Sequence, residues 1–283
     1  MPELAYVNGE FLPIEKAVVP IEDRGYQFAD AVYEGIASYN GNLFYLDAHL
    51  DRLERSMQAL SFPTISKTEI KKAILELCKR AGIARAFIYL QISRGVAPRN
   101  HAFPASAGVQ FIMTIRPVNE IPENIKEEGA AVVTTKDIRW GRCDIKTVQL
   151  LPNVTAKQRA LEAGAHDAIF VAEDGVVREA TSSNVFIVVK EKVLTHPLTP
   201  RILPGITRAV IIDICKDLDL PMTETFFKVE DLYGADEVFL TGTTTEVLPI
   251  VKVDDRAIGS GLAGPVSKRL LAALQERGNR PAV

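Results

Sequence analysis

The chain has 283 residues, of which 47% are hydrophobic and 24% charged, enough to bury the core of one large or two modest domains. A formal net charge of −3 and a pI near 5.9 exclude the basic surface that nucleic-acid binding requires, and no apolar run approaches the roughly 18 residues of a membrane span. Three scattered cysteines predict no disulfide framework, and no spacing of cysteine or histidine indicates a metal site.

The first forty residues carry hairpin signals. The start, Met1-Pro2-Glu3-Leu4, lacks the basic and apolar pattern of a signal peptide, so we expect a cytoplasmic protein with small-molecule partners. Turns at Asn8-Gly9 and Asn40-Gly41 favour two-residue hairpin loops, because asparagine and glycine accept the positive φ angles that such turns require. The first hairpin is predicted to join strands at residues 4–7 and 11–14.

Two amphipathic helices and two strands are predicted next. Asp47 is expected to cap a helix with apolar residues every three or four positions. Ser66 and Glu69 form a capping box for a second helix, which Gly82 is expected to end. The strands are predicted at residues 87–93 and 109–115.

A short polar segment flanked by prolines divides the chain. We interpret residues 118–122 as the linker between a small N-terminal α/β domain, residues 1–117, and a larger C-terminal α/β domain, residues 123–283. Helices and strands alternate irregularly, which indicates an α+β fold rather than a doubly wound sheet. In the second domain, strands are predicted at 130–135, 168–172, 176–178, 184–190, 237–241 and 247–253, and helices at 155–163, 206–218 and 266–277.

Three glycine-rich segments are candidates for phosphate binding. The first, Gly259 to Gly264, matches GxGxxG, but the chain ends before the acidic residue of a dinucleotide site, so we interpret it as a loop before the last helix. Residues 203–207, LPGIT, open an apolar helix whose first N–H groups and positive dipole end favour an anion. Residues 242–245, GTTT, form a second turn rich in hydroxyl groups. Each of these two turns is also compatible with an ordinary helix start or loop.

Lys146, Glu179 and the pair Arg99 and His101 are candidates for chemistry. Lys146 stands among apolar neighbours, and a poorly solvated lysine becomes an amine nucleophile because its charged form is disfavoured. Glu179 precedes a hydroxyl-rich stretch that leads into a buried strand. Arg99 and His101 lie in a loop rich in proline and glycine, where a guanidinium beside an imidazole suits a carboxylate. From the residues alone, a surface lysine, a turn carboxylate and a solvated loop remain alternatives.

Six segments, taken together and in chain order, resemble the D-amino acid aminotransferase family within the branched-chain-aminotransferase-like fold. They are DRGYQFADAVYE (23–34), RCDIK (142–146), LPNVTAKQ (151–158), EATSSNVF (179–186), LPGITR (203–208) and TGTTTEVLP (241–249). The family usually has glycine where Ala29 or Ala31 stands. The resemblance implies a two-domain α+β fold of the fold type IV pyridoxal-phosphate enzymes, with a pseudo-barrel as the C-terminal domain.

The resemblance also implies pyridoxal 5'-phosphate as the cofactor and assigns roles to residues of this sequence. Lys146 would bind the cofactor covalently and move the reacting proton, and Glu179 would pair with the pyridinium nitrogen. The remaining cofactor contacts that it implies are Arg52, Ile206, Thr207 and Thr243 at the phosphate and Leu203 against the ring.

The substrate contacts follow from the same resemblance. Tyr33, Arg99 and His101 would bind the α-carboxylate of a D-amino acid such as D-alanine, which exchanges its amino group with a 2-oxo acid such as 2-oxoglutarate by a ping-pong mechanism. The loop would contribute to the neighbouring active site of a homodimer. Pro98 and Pro104 are expected to stiffen it, so that its tip projects away from its own domain.

Other activities remain open. Glu34-Gly35-Ile36 resembles the branched-chain enzymes, which leaves a branched-chain L-amino acid or (R)-amine transaminase as the first alternative. An aminodeoxychorismate lyase shares the lysine and the glutamate, but the loop with Arg99 and His101 argues against it. A non-catalytic member that only binds the phosphate compound is disfavoured by the intact pair of Lys146 and Glu179.

Overall fold

The computed structural model describes residues 3–279, which form two compact units. The first unit contains the described chain up to Asn119 together with Ile145–Gln149. The second contains Glu120–Asp144 and the chain from Leu150 onward. The return of Ile145–Gln149 to the first unit has no counterpart among the features that the sequence predicts.

The first unit is built on a six-stranded sheet in the order β2-β1-β6-β5-β3-β4. Both predicted hairpins are present, and their Asn-Gly turns have positive φ at both residues, as such turns require. The strands are β1 (Leu4–Val7), β2 (Glu10–Pro13), β3 (Ala31–Tyr39), β4 (Asn42–Leu43), β5 (Ala86–Ser93) and β6 (Gln110–Pro117).

The helices of the first unit are α1 (Arg24–Phe28), α2 (Leu46–Ala59) and α3 (Lys67–Ala81), and a 3₁₀ turn covers Ile14–Lys16. The Ser66 half of the predicted capping box is confirmed, because the Glu69 amide donates to Ser66 Oγ. Gly82 ends the helix in the left-handed conformation, as predicted. The prediction that Asp47 caps α2 was wrong. Tyr45 is the N-cap residue and the buried Leu46 begins the helix, so Asp47 lies in the first turn and binds Lys71.

The second unit is built on a nine-stranded sheet in the order β12-β11-β10-β13-β14-β7-β8-β9, and β15 pairs with β14. Because β9 also pairs with β10, six of these strands form a closed ring. The prediction of a buried strand at residues 184–190 is confirmed, since all but the last residue of β10 (Asn184–Val189) are buried. The strands are β7 (Ala130–Lys136), β8 (Asp167–Val171), β9 (Val177–Ala180), β10 (Asn184–Val189), β11 (Lys192–Thr195), β12 (Met222–Glu224), β13 (Glu237–Gly242), β14 (Glu246–Val253) and β15 (Arg256–Ala257).

The helices of the second unit are α4 (Glu123–Glu128), α5 (Leu151–Glu162), α6 (Ile206–Asp217), α7 (Val229–Tyr233) and α8 (Pro265–Asn279). α5 begins before its predicted start at Thr155, because Pro152 in the first turn is compatible with a helix start. The glycines at 259, 261 and 264 form the loop before α8, as predicted. Within residues 3–279, no helix has the length and apolar character needed to cross a membrane.

Candidate active site

Lys146 is fixed in the first unit by backbone hydrogen bonds to strand β3. The Tyr33 amide donates to the Lys146 carbonyl at 3.0 Å, and the Val148 amide donates to the Ala31 carbonyl at 3.2 Å. The Lys146 amide donates in turn to Ser56 Oγ on α2, at 3.2 Å. The lysine backbone is therefore held between β3 and α2 of this unit. The sequence did not predict these contacts.

The Lys146 side chain lies against an aromatic ring. Its Nζ is 4.3 Å from the centroid of the Tyr33 ring, and both side chains are half-buried. The Tyr33 ring also packs at a tilt against Tyr89 of β5, with 5.6 Å between centroids. The structure thus brings together two of the residues that the sequence singles out, the amine of Lys146 and the phenol of Tyr33.

Glu34, on the opposite face of β3 from Tyr33, forms a buried network with α2. Arg52 donates from Nε and Nη2 to the two carboxylate oxygens, each at 2.7 Å, and His49 Nδ1 lies 2.7 Å from Oε2. Burial alone would raise the pKa of Glu34, but Arg52 and His49 lower it to about 2. Arg52, the predicted phosphate ligand, is therefore a guanidinium whose orientation is set by a buried carboxylate, which sequence analysis did not anticipate.

The loop with Arg99 and His101 is exposed at its tip and anchored at its base. Arg24 Nη1 donates to the Asn100 carbonyl at 2.6 Å, while Arg24 Nε pairs with Asp30. The Arg99 guanidinium lies over the Phe28 ring at 4.3 Å, and the His101 ring packs edge-on against the same ring at 5.5 Å. The expectation that the tip stands clear of its own unit was wrong, because Phe28 supplies an aromatic surface on which both side chains rest.

In the second unit, Glu179 is surrounded by hydrogen-bond donors. Oε2 accepts from the Leu203 amide at 2.9 Å and from Asn184 Nδ2 at 3.2 Å, and Oε1 pairs closely with Arg139. Asn184 lies directly opposite Glu179 in the sheet and opposite Thr241 on its other side. A buried carboxylate with this many donors has a fixed orientation.

Arg139 was not identified from the sequence. Its guanidinium also binds Asp137, with Nε 2.9 Å from Oδ1 and Nη2 2.8 Å from Oδ2, and it lies over the Phe170 ring at 4.3 Å. Burial would lower the pKa of Arg139, but Asp137 and Glu179 together raise it above its ordinary value. Asn184 was missed as well. The sequence signal for Asn184 is a polar side chain at the start of an otherwise apolar strand, and Arg139 has no comparable signal.

The two predicted phosphate turns both lie in the second unit. Helix α6 begins at Ile206 after Gly205, and no side chain of residues 3–279 caps it. Gly205 is required there, because a Cβ would collide with Asn184 Oδ1. Thr207 is buried in the first turn, whereas Leu203 and Thr243 are half-buried.

A buried hydroxyl accompanies these turns. Thr241 Oγ1, at the end of β13, has no hydrogen-bond partner within the described part of the chain. An unsatisfied buried hydroxyl is costly in a folded protein, which makes it a candidate ligand donor. This hydroxyl was not predicted from the sequence.

A family model for class IV amino-transferases matches residues 31–253, which is most of the chain. The chain belongs to the class IV amino-transferases, and it is an enzyme of that class.

Curated relatives and solved structures agree with this family. The chain is 42% identical over 269 residues to the D-alanine aminotransferase of Bacillus licheniformis, covering 95% of this chain and 94% of the relative. It is 41% identical over 266 residues to that of Staphylococcus haemolyticus, covering 94% of each. The branched-chain amino acid aminotransferase of Thermobaculum terrenum, solved in its PLP form, has a TM-score of 0.85 and 28% identity over 99% of this chain and 95% of that chain.

Proposed function

We propose that this protein is a pyridoxal 5'-phosphate-dependent transaminase that exchanges the amino group of a D-amino acid, such as D-alanine, with a 2-oxo acid, such as 2-oxoglutarate. The mechanism is ping-pong. The D-alanine aminotransferases that match almost the whole chain at about 40% identity support the substrate class. The observation that carries the proposal is the buried Glu179 carboxylate, which is held by three donors in the same unit as the uncapped start of α6.

The donor set of the second unit fits a phosphorylated pyridine. The Glu179 carboxylate, held by three donors, is suited to a protonated ring nitrogen. The uncapped N-terminus of α6 presents the Ile206 and Thr207 amides, which suit a phosphate. The unpartnered hydroxyl of Thr241 adds a donor that no other group within residues 3–279 uses.

Lys146 and Glu179 carry the chemistry in this proposal. When bound, the cofactor supplies an electron sink for the charge left at the substrate Cα after its proton is removed. The Lys146 amine would hold the cofactor covalently until the substrate amine displaces it, and the freed Nζ would then move the Cα proton, first as base and then as acid. Glu179 holds the proton on the ring nitrogen, because its carboxylate cannot turn away from Asn184 and the Leu203 amide.

The other predicted contacts position the cofactor. Thr207, Thr243, the Ile206 amide and Arg52 would hold the phosphate. The Arg52 guanidinium is oriented by Glu34. Leu203 would pack against the ring, and its own amide donates to Glu179.

The α-carboxylate of the substrate is bound by Arg99, His101 and Tyr33 in this proposal. Arg99 and His101 both contact the Phe28 ring, and both residues are exposed. We infer that the tip of their loop serves the active site of a second copy, so that the enzyme is a homodimer. With the carboxylate fixed, only one enantiomer directs its Cα–H toward Lys146, which selects D over L.

A branched-chain L-amino acid or (R)-amine transaminase is the second candidate. The solved branched-chain aminotransferases, which share the fold of this chain, favour it. The segment Glu34-Gly35-Ile36, which resembles those enzymes, supports the same candidate.

The roles of Lys146 and Glu179 are tested by two substitutions. Lys146→Ala should lower kcat by about 10⁴-fold or more, because nucleophile and proton carrier are lost together. Borohydride reduction followed by peptide mapping should locate the cofactor on Lys146 in the wild type. Glu179→Gln should retain the bound cofactor and lose most of the turnover.

Lys72→Ala, which removes an exposed lysine of α3, is the control and should leave both measurements unchanged. Labelling of a different lysine by borohydride, or full turnover in Glu179→Gln, would contradict the proposal.

A further inference from the structure

The hairpin between β13 and β14 contains a residue in an unfavourable backbone conformation. Gly242 and Glu246 face each other across the end of the hairpin, and Thr243, Thr244 and Thr245 form its loop. Glu246 has a φ of +55°, in the left-handed region that residues with a Cβ rarely adopt. Glycine adopts this region without strain.

The Glu246 side chain is buried and anchored by two helices. Lys126 Nζ of α4 lies 3.4 Å from its Oε2, and Gln275 Nε2 of α8 donates to the same oxygen at 3.1 Å. Glu246 is 2% exposed and Lys126 is 6% exposed, so both charges of this pair are removed from solvent. A buried ion pair is costly to assemble, and a plain turn does not need one.

The loop is also held on its other side. Ser183 Oγ and Thr245 Oγ1 are 3.0 Å apart, and a Cβ on Gly242 would lie 3.0 Å from that serine hydroxyl. The loop is therefore confined between Ser183 and the anchored Glu246. Thr241, whose buried hydroxyl has no partner within residues 3–279, directly precedes it.

We propose that Glu246 is a positioning residue for phosphate binding: its anchored carboxylate holds residue 246 in the left-handed conformation and thereby sets the conformation of the loop at residues 243–245. This inference rests on the proposed function, in which Thr243 of that loop binds the cofactor phosphate. A glycine adopts this conformation without strain, whereas a residue with a Cβ stays in it only where its side chain is anchored. The anchored glutamate therefore keeps the loop in one conformation, which is the preorganisation that a phosphate site needs.

A pair of substitutions separates the backbone effect from the loss of the ion pair. Glu246→Ala and Glu246→Gly both remove the carboxylate, but only glycine adopts a positive φ without strain. The Kd values of pyridoxal 5'-phosphate and of pyridoxal, which lacks the phosphate, are measured for each variant by equilibrium dialysis. Glu246→Ala should weaken binding of the phosphorylated compound about 10-fold and that of pyridoxal less than about 2-fold, and Glu246→Gly should stay within about 3-fold of the wild type for both.

The matched control is Glu237→Ala. Glu237 is a buried carboxylate that also contacts α8, but it lies on β13, at the end of that strand away from the loop, and its loss should not change the ratio of the two Kd values. If Glu246→Ala does not fold, both substitutions are made together with Lys126→Met, which leaves no unpaired buried cation.

The inference is overturned if Glu246→Ala weakens both ligands equally, or if Glu246→Gly loses phosphate preference as much as Glu246→Ala. If the wild type prefers the phosphorylated compound and Glu246→Ala keeps the same preference, this inference alone is overturned. A wild type without any such preference overturns the proposed function as well.

Discussion

At the scale of single residues, Ala29 shows how a departure from the family pattern has a measurable consequence. It ends α1 in the left-handed conformation, with a φ of +56°, and its amide donates to the Gly25 carbonyl. An L-residue in that region costs roughly 1–2 kcal/mol compared with glycine. The resemblance places glycine at Ala29 or Ala31, and the φ angle identifies Ala29 as the position where glycine is physically preferred.

Ala29→Gly should therefore raise the free energy of unfolding by about 0.5–1 kcal/mol, since relief of strain exceeds the entropy that glycine adds to the unfolded chain. Urea denaturation followed by circular dichroism measures the change. Ala31→Gly is the control, because Ala31 is fully buried in β3 and its loss should lower stability by about 1 kcal/mol. A destabilised Ala29→Gly variant would show that the left-handed alanine is not strained.

The candidate site divides at this scale into residues that the sequence reveals and residues that it does not. Lys146 and Glu179 stand in segments whose composition and resemblance single them out. Arg139 and Asn184 hold Glu179 in place, yet they lie far from one another in the chain, 40 residues before and 5 residues after the glutamate. The role of Asn184 depends on the pairing of β9 with β10, and that of Arg139 on a contact between distant segments, and no local pattern specifies either.

At the scale of secondary-structure elements, helix α8 is capped by a residue of another element. Glu237 of β13 accepts from the Val266 amide at 2.8 Å and from the Ser267 amide at 2.9 Å. Ser267 Oγ donates to the same carboxylate at 2.7 Å. A carboxylate at a helix N-terminus satisfies free amides and interacts favourably with the helix dipole.

Glu237→Ala should lower the free energy of unfolding by about 2–3 kcal/mol, because it removes charge-assisted hydrogen bonds and leaves buried amides without an acceptor. Ser66→Ala, which removes a local cap from α3, should cost only about 1 kcal/mol. Chemical denaturation of both variants gives the comparison. Equal losses would mean that the cap from β13 stabilises α8 no more than an ordinary serine does.

The elements themselves were predicted unevenly. The Asn-Gly hairpins, α3 with its Ser66 cap and the buried strand β10 follow from local signals, since turn chemistry, capping and hydrophobic pattern all act within a few residues. Short elements such as α1, α7 and β12 were not predicted. They span five residues or fewer, so they show no period that a sequence pattern can display.

At the scale of the whole molecule, the exposed loop with Arg99 is proposed to serve both dimer assembly and the preference for D-amino acids. We expect the wild type to sediment as a dimer and to prefer D-alanine to L-alanine. Arg99→Leu should raise KM for D-alanine by about 10- to 100-fold, since a charge-assisted pair with the carboxylate is lost. Its effect on (R)-phenylethylamine, which has no carboxylate, should be small.

Arg116→Leu, at an exposed arginine of β6, is the matched control and should leave the kinetics unchanged. A preference of the wild type for L-alanine, or unchanged D-alanine kinetics in Arg99→Leu, would replace the proposal with the branched-chain alternative.

The sequence by itself determined the class of enzyme, the α+β fold, the local turns and caps, and the identity of the candidate lysine and glutamate. These features are encoded in short segments or in motifs that keep their order along the chain. The tertiary structure alone decided that Ile145–Gln149 joins the first unit, that β9 pairs with β10 to close a ring, and that Glu34 orients Arg52. Each of these features depends on contacts between segments that are distant in the chain. Periodic sequence patterns act over a few residues and do not specify such contacts, so they form only when the chain packs.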